Sequence, residues 1–282
     1  RALLRFRSLT DRVPMTFLRP DLDTIRPYTR PPEPEGLTRL HMNEAAVDWP
    51  ETARAKLLAR LESLPFRQYP ERQGELTERL RQRLGAPQGG VLLGPSSGAL
   101  LDLIALAGLS PGEAVAVPEP GFSLYPMLVE RNRGLLRSVP VGDGFPLAPW
   151  FAALEENPRQ LWLTLPNNPS GAWLPPEELE PLLEEAARKD ILVVLDEAYA
   201  EFAPLTHRLA PERFPNLLLL RTFSKAFACA AWRLGYLVGD PSLVGRLAAL
   251  QLPYAVSARA LEALDVAMEF SRDFEREIRA SA

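Results

Sequence analysis

"LWLTLPNNPSGAWLPPEELEPLLEEAARKDILVVLD" spans residues 161–196 and contains the pattern that decides the fold class. Two apolar runs, "LWLTL" and "ILVVLD", flank the mixed segment "PEELEPLLEEAARKD". Uninterrupted apolar runs are typical of strands buried on both faces, while proline at the start and Lys189 near the end are typical of a helix. A strand, a helix and a second strand in this order predict a parallel β–α–β unit.

The same alternation continues on both sides of this unit. Helices are predicted at about residues 51–64 and 75–84, at "SSGALLDLIALAGL" and "SLYPMLVERNRG", and at the compact segment "SLVGRLAALQ". Further strands are predicted at "GGVLLG", "AVAVPEP", "LLRSVPV", "LLLLRTF" and "RLGYLVG". We therefore predict an α/β fold, a mostly parallel sheet with helices on both faces, in one large domain over residues 51–252. Residues 1–50 are predicted to form an N-terminal extension and arm, with "PPEPEG" as an extended segment.

Composition excludes several classes of function. The formal net charge of −4 and the pI near 5.5 argue against a nucleic-acid or membrane-surface partner. The single cysteine, Cys229, excludes a disulfide framework within the chain and fits a reducing cytoplasm. Two histidines far apart in sequence, His41 and His207, leave no metal-site pattern. These features predict a globular cytoplasmic protein without a nucleic-acid, membrane or metal partner.

Reactive side chains follow four of the predicted strands. In parallel α/β sheets, ligands bind beyond the carboxyl ends of the strands, so these side chains should meet at one edge. The set comprises an amide, a carboxylate, a phenol, hydroxyls and an amine: Asn168, Asp196, Tyr199, Ser96, Ser97, Ser224 and Lys225.

Lys225 is one of only three lysines in a chain that otherwise uses arginine. A lysine in an apolar setting can lose its proton and attack a carbonyl to form a Schiff base, which arginine cannot do. Lys56 and Lys189 suit ordinary helix positions, whereas Lys225 follows a buried strand between small and apolar residues. The alternative interpretation, of equal weight on spacing alone, is a surface lysine whose stem packs on the protein.

Asp196 ends an almost wholly apolar strand and therefore needs a donor or a positive partner. A structural ion pair or a helix cap is the simplest interpretation, and a pyridinium nitrogen is the partner that fits the Schiff-base hypothesis. Tyr199 can reach the same ring edge, or belong to the core. Asn168 can donate to the ring, and Tyr125 can stack on its face or pack within a helix.

An anion site is predicted beside Lys225. Arg233 can clamp a phosphate, Ser224 can add a hydroxyl, and the helix that begins near Ser96 and Ser97 offers free backbone N–H groups. A salt bridge for Arg233 and capping for the serines are the structural alternatives.

Several motifs, in their order along the chain, carry a family resemblance. They are "IRPY", "PGFSLY", "NNPSG", "DEAYAEF", "RTFSKAF" and "RLGY". From about residue 22 onward the chain resembles the fold type I pyridoxal-phosphate aminotransferases of class I/II, and most closely the histidinol-phosphate aminotransferases.

The resemblance implies pyridoxal 5'-phosphate as cofactor. It implies that Lys225 binds the cofactor and carries protons, and that Asp196 pairs with the pyridine nitrogen. The remaining cofactor contacts fall on Asn168 and Tyr199 for the ring hydroxyl, Tyr125 for stacking, and Ser97, Gly98, Ser224 and Arg233 for the phosphate. Tyr28 and Asn43 are the implied substrate residues.

The family reaction moves an amino group between L-histidinol phosphate and 2-oxoglutarate in histidine biosynthesis, and family members are cytoplasmic homodimers. A threonine-phosphate decarboxylase, an aromatic aminotransferase and a non-catalytic cofactor-binding relative stay open as alternatives. The chain departs from the family pattern at "NEAAVDW" from Asn43, which replaces a motif that usually contains tyrosine, and at "SSGA" from Ser96, which replaces the usual phosphate loop. The lost tyrosine motivates the non-catalytic alternative. Residues 253–282 are predicted to begin the connection to a small C-terminal domain that is largely absent.

Overall fold

The computed structural model describes residues 19–23, 25, 36, 40–142, 144–203, 213–274 and 276 of the 282-residue chain. Its centre is one seven-stranded sheet with the spatial order β1-β7-β6-β5-β4-β2-β3. The strands are β1 (Val91–Gly94), β2 (Ala114–Glu119), β3 (Leu135–Pro140), β4 (Gln160–Thr164), β5 (Leu192–Asp196), β6 (Leu217–Thr222) and β7 (Gly235–Gly239). Strand β7 runs opposite to the other six strands of this sheet, which confirms the predicted, mostly parallel sheet.

Eight α-helices accompany the sheet in the part of the chain that the structure describes. They are α1 (Glu51–Glu62), α2 (Gln73–Leu84), α3 (Ser97–Gly108), α4 (Leu124–Arg131), α5 (Ala148–Glu155), α6 (Pro176–Arg188), α7 (Pro241–Leu250) and α8 (Ala258–Glu269). Two separate apolar clusters, one on each face of the sheet, form the core. This confirms helices on both faces. None of these helices is both long and apolar enough to cross a membrane.

Two helices, α5 and α8, were not predicted. Helix α8 lies within the segment predicted to begin a connecting region, yet it packs on α1 and α2 and buries residues from Ala260 to Met268. Its acidic residues Glu262 and Asp265 are themselves buried, so its sequence lacks the polar outer face of a typical surface helix. The domain boundary at residue 253 stays a prediction.

Buried ion pairs attach α8 to its neighbours. Asp265 accepts hydrogen bonds from Arg72 at 2.8 Å and from Arg60 and Arg79. Glu262 accepts a second hydrogen bond from Arg72 at 2.9 Å. Burial alone would raise the pKa of Asp265, but hydrogen bonds from the three arginines hold it below its ordinary value. The carboxylate form of Asp265 therefore stabilises the contact between α8 and the helices α1 and α2.

We expect Asp265→Asn to lower the free energy of unfolding by about 1–3 kcal/mol at pH 7, because charged hydrogen bonds to three arginines are weakened together. Urea denaturation measures this loss. The loss should shrink only as the pH falls below about 4, since the folded pKa of Asp265 lies below that of the unfolded chain and its stabilising effect disappears when the carboxyl is protonated in the folded state. The matched control is Asp273→Asn, which removes an exposed pair with Arg276 and should cost less than about 1 kcal/mol. Equal losses in both variants would contradict the prediction.

Candidate active site

The carboxyl edge of the sheet brings the predicted residues together. Thr164 and Asp196 are paired across β4 and β5, and Thr222 is paired with Gly235 across β6 and β7. Strand β1 ends beside Gly235 at the same edge. Residues that immediately follow β1, β4, β5 and β6, or precede β7, therefore lie around one region of the surface.

Asp196 is a buried carboxylate at this edge, only 5% exposed. One oxygen accepts a hydrogen bond from the Tyr125 hydroxyl at 3.0 Å, and the other accepts from the Ala198 backbone N–H at 3.1 Å. Burial raises the pKa of Asp196 to about 6, against the effect of these donors and of Lys225. Among the described residues, no basic side chain forms an ion pair with Asp196. A buried carboxylate of this kind is a suitable site for a cationic ligand atom.

Lys225 lies near this carboxylate and is half-buried. Its amine donates a hydrogen bond to the Met42 carbonyl oxygen at 2.8 Å and lies 5.7 Å from the centroid of the Tyr199 ring. Burial lowers the pKa of the amine, and Arg233 lowers it further, whereas Glu44 and Asp196 oppose the shift. The environment therefore favours the neutral, nucleophilic form of the amine more than water does.

Tyr199 and Asn43 meet although they are far apart in sequence. The Asn43 side-chain amide donates to the Tyr199 hydroxyl at 3.0 Å. This contact, together with the bond from Lys225 to Met42, places the segment around residue 43 over the strand ends. Burial raises the pKa of Tyr199, so its hydroxyl keeps its proton near neutral pH. The other predicted substrate residue, Tyr28, lies outside the described residues.

The N-terminus of α3 and the start of β7 form a close backbone contact. A Cβ atom on Gly235 would lie 2.4 Å from the backbone nitrogen of Ser97, so only glycine permits this approach. Ser96 is the helix cap, and its hydroxyl accepts from the Ala99 N–H at 3.0 Å, which is the structural role considered for it. Ser97 and Gly98 provide the first backbone N–H groups of the helix, where anions bind favourably.

Arg233 and Ser224 are the other two residues predicted for the anion site. Arg233 is exposed two residues before Gly235, and one of its guanidinium nitrogens donates to the Ala230 carbonyl at 3.1 Å. The remaining donors of its guanidinium can reach a ligand. Ser224 directly precedes Lys225 and is mostly buried. Asn168 is half-buried in the turn after β4, at the same edge.

Tyr125 occupies a different place from the one predicted. Its ring is fully buried and packs edge-on against Phe122 and Trp162, at 5.5 Å from each. A ring without an exposed face cannot stack on a ligand, so the predicted stacking of Tyr125 is not compatible with this structure. Phe122 is the half-buried aromatic ring next to it. The hydroxyl of Tyr125 instead contacts Asp196 and, at 2.5 Å, the hydroxyl of Thr164.

Three groups at the site were missed by sequence reasoning: Thr164, Phe122 and the Met42 carbonyl. Thr164 was detectable, because it is a hydroxyl residue within an apolar run and lies two residues before the "PNNPSG" turn. Phe122 stands in the same "PGFSLY" motif as Tyr125, and nothing in that motif says which of the two rings is exposed. The Met42 carbonyl carries no side-chain signal at all.

A buried charge cluster adjoins the site through Glu197, the residue after Asp196. Arg221 on β6 donates to Glu197 at 2.6 Å and to Glu201 at 3.2 Å. One oxygen of each glutamate has no hydrogen-bond partner among the described residues. Burial raises the pKa of Glu197 to about 7, with Arg221 opposing the shift. One arginine therefore faces two buried carboxyl groups directly beside Asp196.

Comparisons with known proteins show what the chain is similar to. A histidinol-phosphate aminotransferase of Chlorobium phaeovibrioides is 34% identical over 87% of this chain and 69% of its own length. An aromatic amino acid aminotransferase of Nocardia farcinica is 34% identical over 89% of this chain and 72% of its own. A crystal structure of histidinol-phosphate aminotransferase from Sinorhizobium meliloti, in complex with pyridoxal-5'-phosphate, superposes with a TM-score of 0.77 at 25% identity. That match covers 84% of this chain and 65% of the solved one.

The family model "Aminotransferase class I and II" matches residues 35–282. This range includes all but one of the predicted site residues, the exception being Tyr28. The chain belongs to the class I and II aminotransferase family.

Proposed function

We propose that this protein is a pyridoxal 5'-phosphate-dependent aminotransferase that transfers an amino group between L-histidinol phosphate and 2-oxoglutarate in histidine biosynthesis. The observation that carries the proposal is that a buried carboxylate, Asp196, lies near a half-buried amine, that of Lys225, whose pKa is lowered by burial. Pyridoxal-phosphate chemistry needs a neutral amine that can attack an aldehyde and a carboxylate that can pair with a pyridinium ring. Lys225 and Asp196 provide these two groups.

The residues present fit the cofactor. Asp196 lacks a cationic partner among the described side chains and can face the pyridine nitrogen. The close approach of Gly235 to the N-terminus of α3 leaves the backbone N–H groups of Ser97 and Gly98 available for a phosphate. Ser224 and Arg233 add a hydroxyl and a positive charge beside it. Asn168 and Tyr199 are the proposed partners of the ring hydroxyl.

When bound, pyridoxal 5'-phosphate supplies an electron sink that stabilises negative charge at the substrate carbon. The protein's part is to place and move protons. Lys225 would hold the cofactor through its amine and would serve as the general base and acid that carries a proton. Asp196 would favour a protonated ring nitrogen, and the Tyr199 hydroxyl, to which the Asn43 amide donates, would contact the ring.

The finer assignments rest on the relatives. The curated relatives named histidinol-phosphate aminotransferase support the substrate, and the Nocardia farcinica relative supports an aromatic amino acid as the alternative. A homodimer in the cytoplasm, with a 2-oxo acid as the second substrate, completes the proposal.

The direct test is a spectral comparison of substrates. We expect the protein reconstituted with pyridoxal 5'-phosphate to be yellow, and L-histidinol phosphate to change its absorption at least about 10-fold faster than L-phenylalanine does. Stopped-flow absorption measures both rates. A faster response to phenylalanine would assign the aromatic alternative, and release of carbon dioxide from threonine phosphate would assign the decarboxylase. Cofactor binding without a response to any amine would mean a non-catalytic relative.

A further inference from the structure

Tyr125 and Thr164 are polar residues in a mostly apolar layer, and the proposed chemistry leaves them without a role. Tyr125 lies on α4, and its ring belongs to the apolar cluster on one face of the sheet, together with Trp162 and Val194. A buried hydroxyl costs free energy unless it forms hydrogen bonds. Packing alone would be satisfied by phenylalanine, so the hydroxyl of Tyr125 needs an explanation from its polar partners.

The register of the sheet places those partners side by side. Thr164 is the last residue of β4 and is paired directly with Asp196, the last residue of β5. Their side chains therefore point to the same face, the one that α4 covers. The Tyr125 oxygen lies 2.5 Å from the Thr164 hydroxyl oxygen and 3.0 Å from one Asp196 oxygen.

Proton counting gives the direction of these hydrogen bonds. An ionised carboxylate only accepts, so the single proton of Tyr125 is donated to Asp196. The Thr164 hydroxyl must then donate to the Tyr125 oxygen. Hydrogen bonds that point in one direction strengthen each other, and this chain of donors ends on the carboxylate.

The two oxygens of the Asp196 carboxylate accept hydrogen bonds from different elements of the fold. Tyr125 binds one oxygen from α4, and the Ala198 backbone N–H binds the other from the turn after β5. These two bonds together fix the plane of the carboxyl group. They also favour its charged form, in opposition to burial, which raises the pKa of Asp196. A protonated Asp196 would be a poor partner for a protonated ring nitrogen.

We propose that Tyr125 is a positioning residue whose hydroxyl, oriented by Thr164, holds Asp196 ionised and correctly turned towards the ring nitrogen of the cofactor. This inference rests on the proposed function and adds two residues to its machinery. Tyr125 acts through Asp196 and does not touch the cofactor.

The test compares pyridoxal 5'-phosphate affinity across pH in variants that lose one hydroxyl. Tyr125→Phe keeps the ring and is expected to weaken cofactor binding about 10-fold at pH 7.5. Cofactor affinity should fall at low pH, where Asp196 becomes protonated, and the midpoint of that fall is the pH midpoint. In Tyr125→Phe this midpoint should rise by about one pH unit, because the carboxylate loses a hydrogen-bond donor that stabilises its charged form. Fluorescence titration of the apoprotein between pH 5 and 9 measures both quantities.

Matched variants separate this role from packing. Tyr236→Phe removes the hydroxyl of another buried tyrosine, one that packs on Phe223, and should leave the pH midpoint unchanged. Thr164→Val should shift the midpoint in the same direction as Tyr125→Phe, by a smaller amount, and Thr164→Ser, which keeps the hydroxyl, should restore the wild-type midpoint. The Thr164 pair carries the test if Tyr125→Phe does not fold.

The possible outcomes distinguish the two proposals. Covalent cofactor binding in all variants, with one common pH midpoint, would overturn the role of Tyr125 and leave the proposed function intact. Lack of covalent binding in the wild type and in Tyr236→Phe would contradict the proposed function, and the role of Tyr125 with it. We expect the pH midpoint to shift in Tyr125→Phe and in Thr164→Val, and to stay at the wild-type value in Tyr236→Phe and Thr164→Ser.

Discussion

Lys225→Arg will abolish covalent attachment of pyridoxal 5'-phosphate and reduce transamination by about 10³-fold or more. Arginine keeps the positive charge and much of the length of lysine, but its guanidinium does not lose its proton and cannot attack an aldehyde. Partial burial lowers the pKa of the Lys225 amine and so favours its neutral form. The same environment does not make an arginine side chain neutral. Absorption of the bound cofactor and the steady-state rate measure the two effects.

The other two lysines of the chain provide the controls for this experiment. Lys56 pairs with Glu269, and Lys189 lies 3.2 Å from Glu155, so each has an electrostatic role that arginine can fill. Lys56→Arg and Lys189→Arg should therefore retain full activity. Borohydride reduction of the wild type should label only the peptide that contains Lys225. Substantial turnover by Lys225→Arg, or a label on either of the other peptides, would remove Lys225 from the mechanism.

The sheet and the position of the site were predictable because their signals are local in sequence. Runs such as "ILVVLD" indicate buried parallel strands, and the rule for strand ends then selects Asp196 and Lys225 without any knowledge of strand order. The Lys225 prediction also benefited from composition, since the chain uses lysine only three times among 32 basic residues.

What could not be predicted depends on the packing of distant elements. The orientation of α4 on the sheet decides whether the Tyr125 ring faces the cofactor site or is buried with its hydroxyl against Asp196. No local sequence pattern encodes that orientation. The contacts of Asn43 with Tyr199 and of Met42 with Lys225 join segments that are separated by most of the domain. Helix α8 was missed because its buried carboxylates are matched by arginines on two other helices.

Arg221 is expected to stabilise the fold next to the candidate active site, although nothing in its sequence position indicates this role. The Arg221 side chain is only 14% exposed and is the charge partner of both Glu197 and Glu201. Removal of one partner from a buried ion pair leaves an uncompensated charge, which is far more costly than the loss of the pair itself. We expect Arg221→Met to lower the free energy of unfolding at pH 8 by about 3–5 kcal/mol.

An exposed arginine gives the matched comparison. Arg213 donates two hydrogen bonds to Glu180, the shorter at 2.8 Å, but its side chain is 58% exposed. Arg213→Met should cost less than about 1 kcal/mol, because water screens that pair and solvates the glutamate that remains. Urea unfolding of both variants under identical conditions measures the difference.

The pH dependence of the loss identifies charge as its cause. Burial already raises the pKa of Glu197 to about 7 and raises that of Glu201, and removal of Arg221 raises both further. A carboxyl whose pKa is raised by folding stabilises the folded state at low pH and loses that effect as the pH rises through the folded pKa. The deficit of Arg221→Met should therefore be largest at pH 8 and shrink towards pH 5, where both glutamates become neutral in the folded variant. A deficit that is the same at pH 5 and pH 8 would show that lost packing, and not the uncompensated carboxylates beside Asp196, destabilises the variant.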